Sequence, residues 1–168
     1  MLTIRELVVA DPPVIAHACA AQGWDNKPEE QFRNYYEQTT RGERVVLVAQ
    51  DEAGLAGYVT IVWLSDYPPF REAGIPEIVD FNVFIRCRRR GIGTALLDEA
   101  ERRIGQRSPV AGIGVGLTPD YGPAHILYVR RGYVPNGRGL WQAGRTLQYG
   151  DTAIVNDDLG LYFTRPVA

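Results

Sequence analysis

Lysine is nearly missing from this chain: of its 18 basic residues only Lys27 is a lysine. A triphosphate-binding loop needs Gly-Lys followed by Ser or Thr, so that chemistry is excluded. The arginine bias itself carries no functional reading. Cysteine is almost as scarce. Cys19 and Cys87 are far apart and outside any metal-ligand spacing, which argues against a disulfide framework or a zinc site, and no metal is expected. His17 and His125 are the only histidines, and no His–acid pair is recognisable around Cys87, so Cys87 reads as a buried small side chain rather than a nucleophile. No apolar run is long enough to cross a bilayer, and the N-terminus lacks the basic-then-apolar pattern of a secretory signal. The expectation is a cytoplasmic protein without a membrane partner. Net charge is only −2 and the isoelectric point about 5.7, which disfavours a broad nucleic-acid-binding face.

What is present is ordinary globular material, 45% apolar and 23% charged over 168 residues, enough for one domain spanning residues 1–168 around one core. Residues 2–9 alternate like a strand. Asp11-Pro12-Pro13 reads as a helix start with Asp11 as the cap, the helix running to about Gly23, and a second helix is expected from Pro28 to Arg41. Val45–Gln50 and Gly57–Leu64 are β-branched runs joined by the turn Asp51-Glu52-Ala53-Gly54, a hairpin signal. Ile78–Ile85 and Ala111–Leu117 read as strands, as does Leu159–Thr164 near the end. Between the first two of these, Ile92, Ala95, Leu96, Ala100 and Ile104 make a helical apolar stripe. Gly112, Gly114 and Gly116 alternate along the strand 111–117, either to admit a bulky neighbour or to line a ligand.

The densest signal is Val83-Phe-Ile-Arg-Cys-Arg-Arg-Arg-Gly-Ile-Gly-Thr94, an apolar strand passing through an Arg/Gly turn directly into the amphipathic helix. Such a turn leaves backbone N–H groups uncovered at the positive end of the helix dipole, and a pyrophosphate fits there. A dinucleotide fingerprint is excluded, because the third glycine it needs falls on Leu96. Arg88-x-x-Gly91-x-Gly93 resembles the Arg/Gln-x-x-Gly-x-Gly/Ala signature of the GNAT superfamily of N-acetyltransferases. A second segment resembles the same family: Ala124, Leu127, Tyr128, Gly132 and Tyr133 stand in register with its Asn-x-x-Ala-x-x-Leu-Tyr helix and following Gly-aromatic pair. Tyr121 replaces the usual Asn, so the helix-start contact to pantetheine that Asn often makes is not carried over.

The resemblance implies an α/β (α+β) fold: a central mixed, mostly antiparallel sheet of about six to seven strands, splayed between strands 4 and 5 and flanked by about four helices. It implies acetyl-CoA as co-substrate. Main chain at Val83, Phe84 and Ile85 would take the pantetheine arm like an added strand, and Arg88, Arg89, Arg90, Gly91, Ile92, Gly93 and Thr94 would surround the pyrophosphate. It further implies acetyl transfer to a primary amine by direct attack, the acceptor being a small molecule or a peptide. The alternative is a binding module that has kept the cofactor site and lost transfer. A homodimer is compatible with the resemblance, though no residue pattern specifies one.

Direct attack requires a neutral amine, so a base must take the ammonium proton. Glu77 and Asp80 are the candidates, with a lean to Glu77. Strand alternation places Asp80 and Asn82 on one face and Glu77 on the other, so the two acids are not expected to share a site. Tyr128, in the tyrosine position of the second motif, is the candidate acid for the leaving sulfur, and His125 lies close to it in sequence. The acceptor side is expected from the first forty residues and the loop Asp66–Pro76, where Asp25, Glu29, Glu30 and Glu37 stand among Trp24, Tyr35 and Tyr36; these acids read either as a cation-attracting surface or, more commonly, as a solvated helix face.

Overall fold

The computed structural model describes residues 1–167. In chain order the elements are β1 (Thr3–Glu6), α1 (Asp11–Ala20), α2 (Glu29–Thr40), β2 (Arg44–Asp51), β3 (Gly54–Val62), α3 (Pro68–Ala73), β4 (Glu77–Val83), α4 (Ile92–Gly105), β5 (Val110–Gly116), α5 (Gly122–Arg130), β6 (Val134–Gln142), β7 (Arg145–Thr146) and β8 (Gly160–Pro166). The eight strands form one sheet in the order β1-β2-β3-β4-β5-β8-β6-β7. Every pairing is antiparallel except β4 with β5, which is parallel. The strand beyond the expected range is the two-residue β7, a short hairpin partner of β6.

The central strand β3 is buried continuously from Leu55 to Ile61, because helices cover both faces of the sheet there. On one face Phe32 of α2 meets Tyr58 of β3 edge-on at 5.3 Å. On the other, α4 lays down Ile92, Leu96, Leu97, Ala100 and Ile104, the stripe its sequence announced with Leu97 buried in place of the half-buried Ala95. Glu101 on α4 is buried too. It accepts hydrogen bonds from Arg131 at 3.0 and 2.6 Å and from Tyr133 at 3.1 Å, and pairs with Arg165, so one carboxylate ties α4 to the end of α5 and to β8.

β4 and β5 pair only at Glu77–Gly112 and Ile78–Ile113 and then separate. The parallel pair is thus closed at one end and split at the other. α4 starts beside the open end, directly after β4. Asp11 corrects one expectation: it is the first residue of α1 rather than its cap. Its carboxylate closes the preceding turn by accepting the Val8 N–H at 2.8 Å and is held by Arg5 at 2.7 and 2.8 Å.

Candidate active site at the split between β4 and β5

Register explains how this site is built. Thr60 pairs with Val79 and Tyr58 with Asn82, so Val59 alone on β3 faces both Asp80 and Phe81 on β4. This is a β-bulge, and Asp80 takes a left-handed φ of 48° to make it. The extra residue reverses the face parity along β4. Glu77 shares the face of its partner Val62, and after the bulge Asp80 and Asn82 point to that same face toward α2, while Phe81 and Val83 pack toward Gly93 of α4. The expectation that Glu77 and Asp80 point apart is therefore overturned: both line one open cavity of about 570 Å³.

The two acids differ in their surroundings. Asp80 is saturated. It accepts from Gln31 Nε2 at 2.9 Å, Tyr35 Oη at 3.0 Å, Asn82 Nδ2 at 2.8 Å and Tyr58 Oη at 3.2 Å, and it pairs with Lys27, the chain's single lysine. That network fixes α2 and the segment before it onto the bulge. Glu77 is 7% exposed and among the described residues has one hydrogen-bond partner, the Ser65 hydroxyl, which donates to Oε2. Burial pushes its carboxyl up to about 7, with Asp66 adding in the same direction; the Ser65 hydrogen bond and the Arg44 charge only partly offset this. A carboxyl held near neutrality in a cavity wall can exchange a proton with a ligand at working pH.

The glycine alternation of β5 has a structural cause. A Cβ on Gly112 would lie 2.3 Å from the Phe70 ring, one on Gly114 2.8 Å from Tyr162, and one on Gly116 2.5 Å from Tyr121. Three aromatic rings lie directly on the backbone, so of the two expectations the bulky neighbour holds. Tyr162 in turn stacks on Tyr67 at 3.6 Å, and Trp141 meets Tyr67 edge-on at 5.0 Å. Together they wall the cavity beside Glu77. Tyr121, standing where the family usually has Asn, forms the end of this row.

Tyr128 lies on the opposite face, where its ring packs against Tyr133 at 5.9 Å and Phe81 at 6.4 Å. It is 5% exposed, burial raises its phenol well above the ordinary value, and among the described residues its hydroxyl has no hydrogen-bond partner. His125 is instead committed to the Gly116 carbonyl at 2.8 Å.

The Arg/Gly turn is shaped by two left-handed residues, Arg89 (φ 60°) and Gly91 (φ 77°). Gly91 ends the turn and starts α4, where a side chain would be strained. Among the described residues the N–H groups of Gly91, Ile92, Gly93 and Thr94 find no acceptor in the protein; the first helical bond is Ala95 N–H to Gly91 carbonyl at 3.0 Å. These donors suit an anion at the positive end of a fourteen-residue helix. The neighbouring cations are partly engaged: Arg90 pairs with Asp51 at 3.0 Å and Arg88 Nε donates to the Val83 carbonyl at 3.2 Å. Strand geometry ends at Val83, and Ile85 begins a short 3-10 turn through Cys87. The Phe84 N–H bonds to Ala56 on β3, which turns the Val83 main chain toward the split; the Ile85 N–H is taken by Gln22 Oε1 at 2.9 Å. A group with a pyrophosphate head and an amide-bearing arm fits this donor set, and the turn and the split lie end to end. Cys19 and Cys87 are both free and buried.

Among the cavity residues that escaped the sequence are Arg44, Trp141, Asp158 and Tyr162. Only strand register reveals Arg44, since it pairs with Val62, which pairs with Glu77. The acids Asp25, Glu29, Glu30 and Glu37 line no part of this cavity; Glu29 pairs with Arg33 on the solvated side of α2.

No curated protein matches the chain in a sequence search. Solved structures do match in fold. An N-acetyltransferase from Staphylococcus aureus Mu50 superposes with a TM-score of 0.71 at 14% identity, covering 100% of this chain and 99% of that one. The ribosomal-protein-alanine N-acetyltransferase from Brucella melitensis gives 0.70 at 21% identity, covering 98% and 99%. A Salmonella typhimurium structure containing its cofactor acetyl-CoA gives 0.68 at 18% identity, covering 99% and 94%. A family model described as the acetyltransferase (GNAT) family matches residues 3–133, a span that runs from β1 through both motif segments. The chain belongs to the GNAT family of acetyltransferases, whose acyl donor is acetyl-CoA.

Proposed function

We propose that the protein transfers an acetyl group from acetyl-CoA to a primary amine by direct attack, with Glu77 as base and Tyr128 as acid. The observation that carries this reading is a pair of proton-handling groups on the two faces of the sheet: a buried Glu77 carboxyl near neutrality, partnered by the Ser65 hydroxyl, on one face, and on the other a buried Tyr128 hydroxyl without a partner among the described residues. Acetyl-CoA supplies an activated thioester when bound. The free N–H groups of Gly91 to Thr94, with Arg89 beside them, would hold its pyrophosphate, and the Val83 main chain would hold its pantetheine arm.

Glu77 takes the proton of the incoming ammonium, which at neutral pH is otherwise unreactive because alkyl amines titrate near pH 10. Tyr128 keeps its proton at any working pH and can donate it to the departing sulfur. Asp80 is a positioning residue in this account. Its oxygens are engaged by five donors, and it holds the bulge that brings its own side chain onto the face of Glu77. The aromatic row stands beside Glu77, whose burial maintains its raised pKa.

Thiol release from acetyl-CoA, measured across small amines, polyamines, aminoglycosides and peptide N-termini with Tyr128→Phe alongside, tests the reading. Release that requires both an amine and Tyr128 supports it. Tight acetyl-CoA binding with no turnover on any acceptor refutes it in favour of a binding module.

A further inference from the structure

Arg44 is anomalous among the charged residues of the cavity. Asp80 is saturated, Asp66 pairs with Arg71 at 3.0 Å, and Asp158 accepts the Ala143 N–H at 2.7 Å. The Arg44 guanidinium is desolvated enough to lower its pKa, yet among the described residues it has no carboxylate within 4.0 Å. Arg44 is half-buried, and arginines withdrawn from water are ordinarily paired. Its Nε donates to Gln38 Oε1 and its Nη1 to Thr60 Oγ1, each at 2.6 Å, and its plane lies 4.2 Å over the Tyr35 ring. Among the described residues two of its five donors are used, and three remain. The side chain is thus rigidly anchored with part of its fork unspent, as a receptor for an anion would be.

The register fixes where that fork stands relative to the reacting end. Arg44 pairs with Val62 and Val62 with Glu77, so the three residues share one face across three adjacent strands. Arg44 and Glu77 backbones are two strand spacings apart, about 10 Å. Between them Val62 gives an apolar floor, and Tyr35, Tyr67, Trp141 and Tyr162 give aromatic walls. Along this line the cavity has Glu77 at one end, an apolar middle and the Arg44 guanidinium at the other, and the further acids Asp66 and Asp80 bear on Arg44 without pairing with it. A polyamine would bring a second positive charge against Arg44, which opposes its binding.

Resting on the transferase reading above, we infer that the acceptor is an amine that also carries a carboxylate, an amino-acid-like molecule whose ammonium addresses Glu77 and whose carboxylate is gripped by Arg44. Arg44 is then a specificity-determining residue. A charge-assisted hydrogen bond to a fixed guanidinium favours the carboxylate over its neutral counterpart by about 10- to 100-fold.

The test compares α- and ω-amino acids with their carboxamides and with the corresponding alkylamines. Acetyl transfer is measured as kcat/KM in the native protein, Arg44→Lys and Arg44→Met. The native protein should prefer the carboxylate by at least about 10-fold, expressed mainly in KM. Arg44→Lys should keep part of the preference and Arg44→Met should bring it close to one. A purely structural Arg44 would change stability or overall rate without changing that ratio. Equal use of acids and carboxamides by the native protein, or a preference for polyamines, overturns the inference even if Arg44→Met does not fold. So does an Arg44→Met protein that retains the preference. Thermal shift by the same ligands, which needs no turnover, separates the two claims. Carboxylate-selective stabilisation that depends on Arg44, with no transfer to any amine, refutes the transferase reading and keeps the anion site; no stabilisation and no transfer refutes both.

Discussion

Replacing Glu77 by Gln should slow the protein and stabilise it at the same time. The Glu77 carboxyl is raised from 4.5 to about 7, chiefly by burial. Below pH 4.5 it is protonated in both folded and unfolded chains and contributes nothing. Between 4.5 and about 7 the folded chain binds the extra proton, so stability falls as pH rises, and above about 7 the full penalty is present. At about 1.4 kcal/mol for each pH unit, the penalty reaches about 3 kcal/mol. Gln keeps the shape and sheds the charge, so Glu77→Gln should melt about 6–12 °C higher at pH 8 and close to the native protein at pH 4. The rate should move the other way. Losing a general base costs on the order of 10²–10⁴. In the native protein log kcat/KM should rise with unit slope up to about pH 7 and then level off. In the variant the rise should continue toward the pKa of the amine, so the deficit is largest at low pH and closes at high pH. Differential scanning calorimetry at the two pH values and a pH–rate profile read both effects. A variant with the native profile, or one that melts lower at pH 8 than the native protein, would refute the reasoning.

Other substitutions probe separate parts of the account. Tyr128→Phe removes a hydroxyl with no protein partner, so it should cut turnover by about 10²–10⁴ while acetyl-CoA affinity by calorimetry and the melting temperature stay close to native. Gly112→Ala drives a methyl group into the Phe70 ring and should cost about 1–3 kcal/mol in denaturant unfolding, with a raised KM for the amine because the aromatic wall shifts. Glu101→Ala leaves Arg131 and Arg165 facing a buried void and should destabilise by about 3–5 kcal/mol; a loss below about 1 kcal/mol would show that the network is solvated in solution.

Much of the fold could be read in advance because its elements carry strong local periodicity. α4 is legible from its apolar stripe, the β2–β3 hairpin from β-branched runs about a tight turn, and the phosphate-type turn from glycines at required positions. α3 was not, since Pro68-Pro69 reads as loop and the short helix is held by tertiary contact of Phe70 with the Gly112 backbone. A strand is legible after the helix that the sequence ends at Gly132, but the length of β6 is not, because Asn136-Gly137 does turn, as an irregularity within a strand that resumes at Leu140. The site was half visible. Tyr128 and the Gly91–Thr94 donors follow from local sequence, whereas the shared face of Glu77 and Asp80 depends on a bulge that no glycine marks. Strict alternation therefore gives the wrong parity after Val79. Arg44 is beyond any local reading, because only a register across three strands places it opposite Glu77.

The most direct test of the central claim is product analysis: mass spectrometry of an amine incubated with acetyl-CoA and the protein, alongside a count of thiol released. The account predicts one acetylated amine for each thiol. Thiol released without acetylated amine would mean that water, not an amine, is the acceptor at this site, and would contradict it.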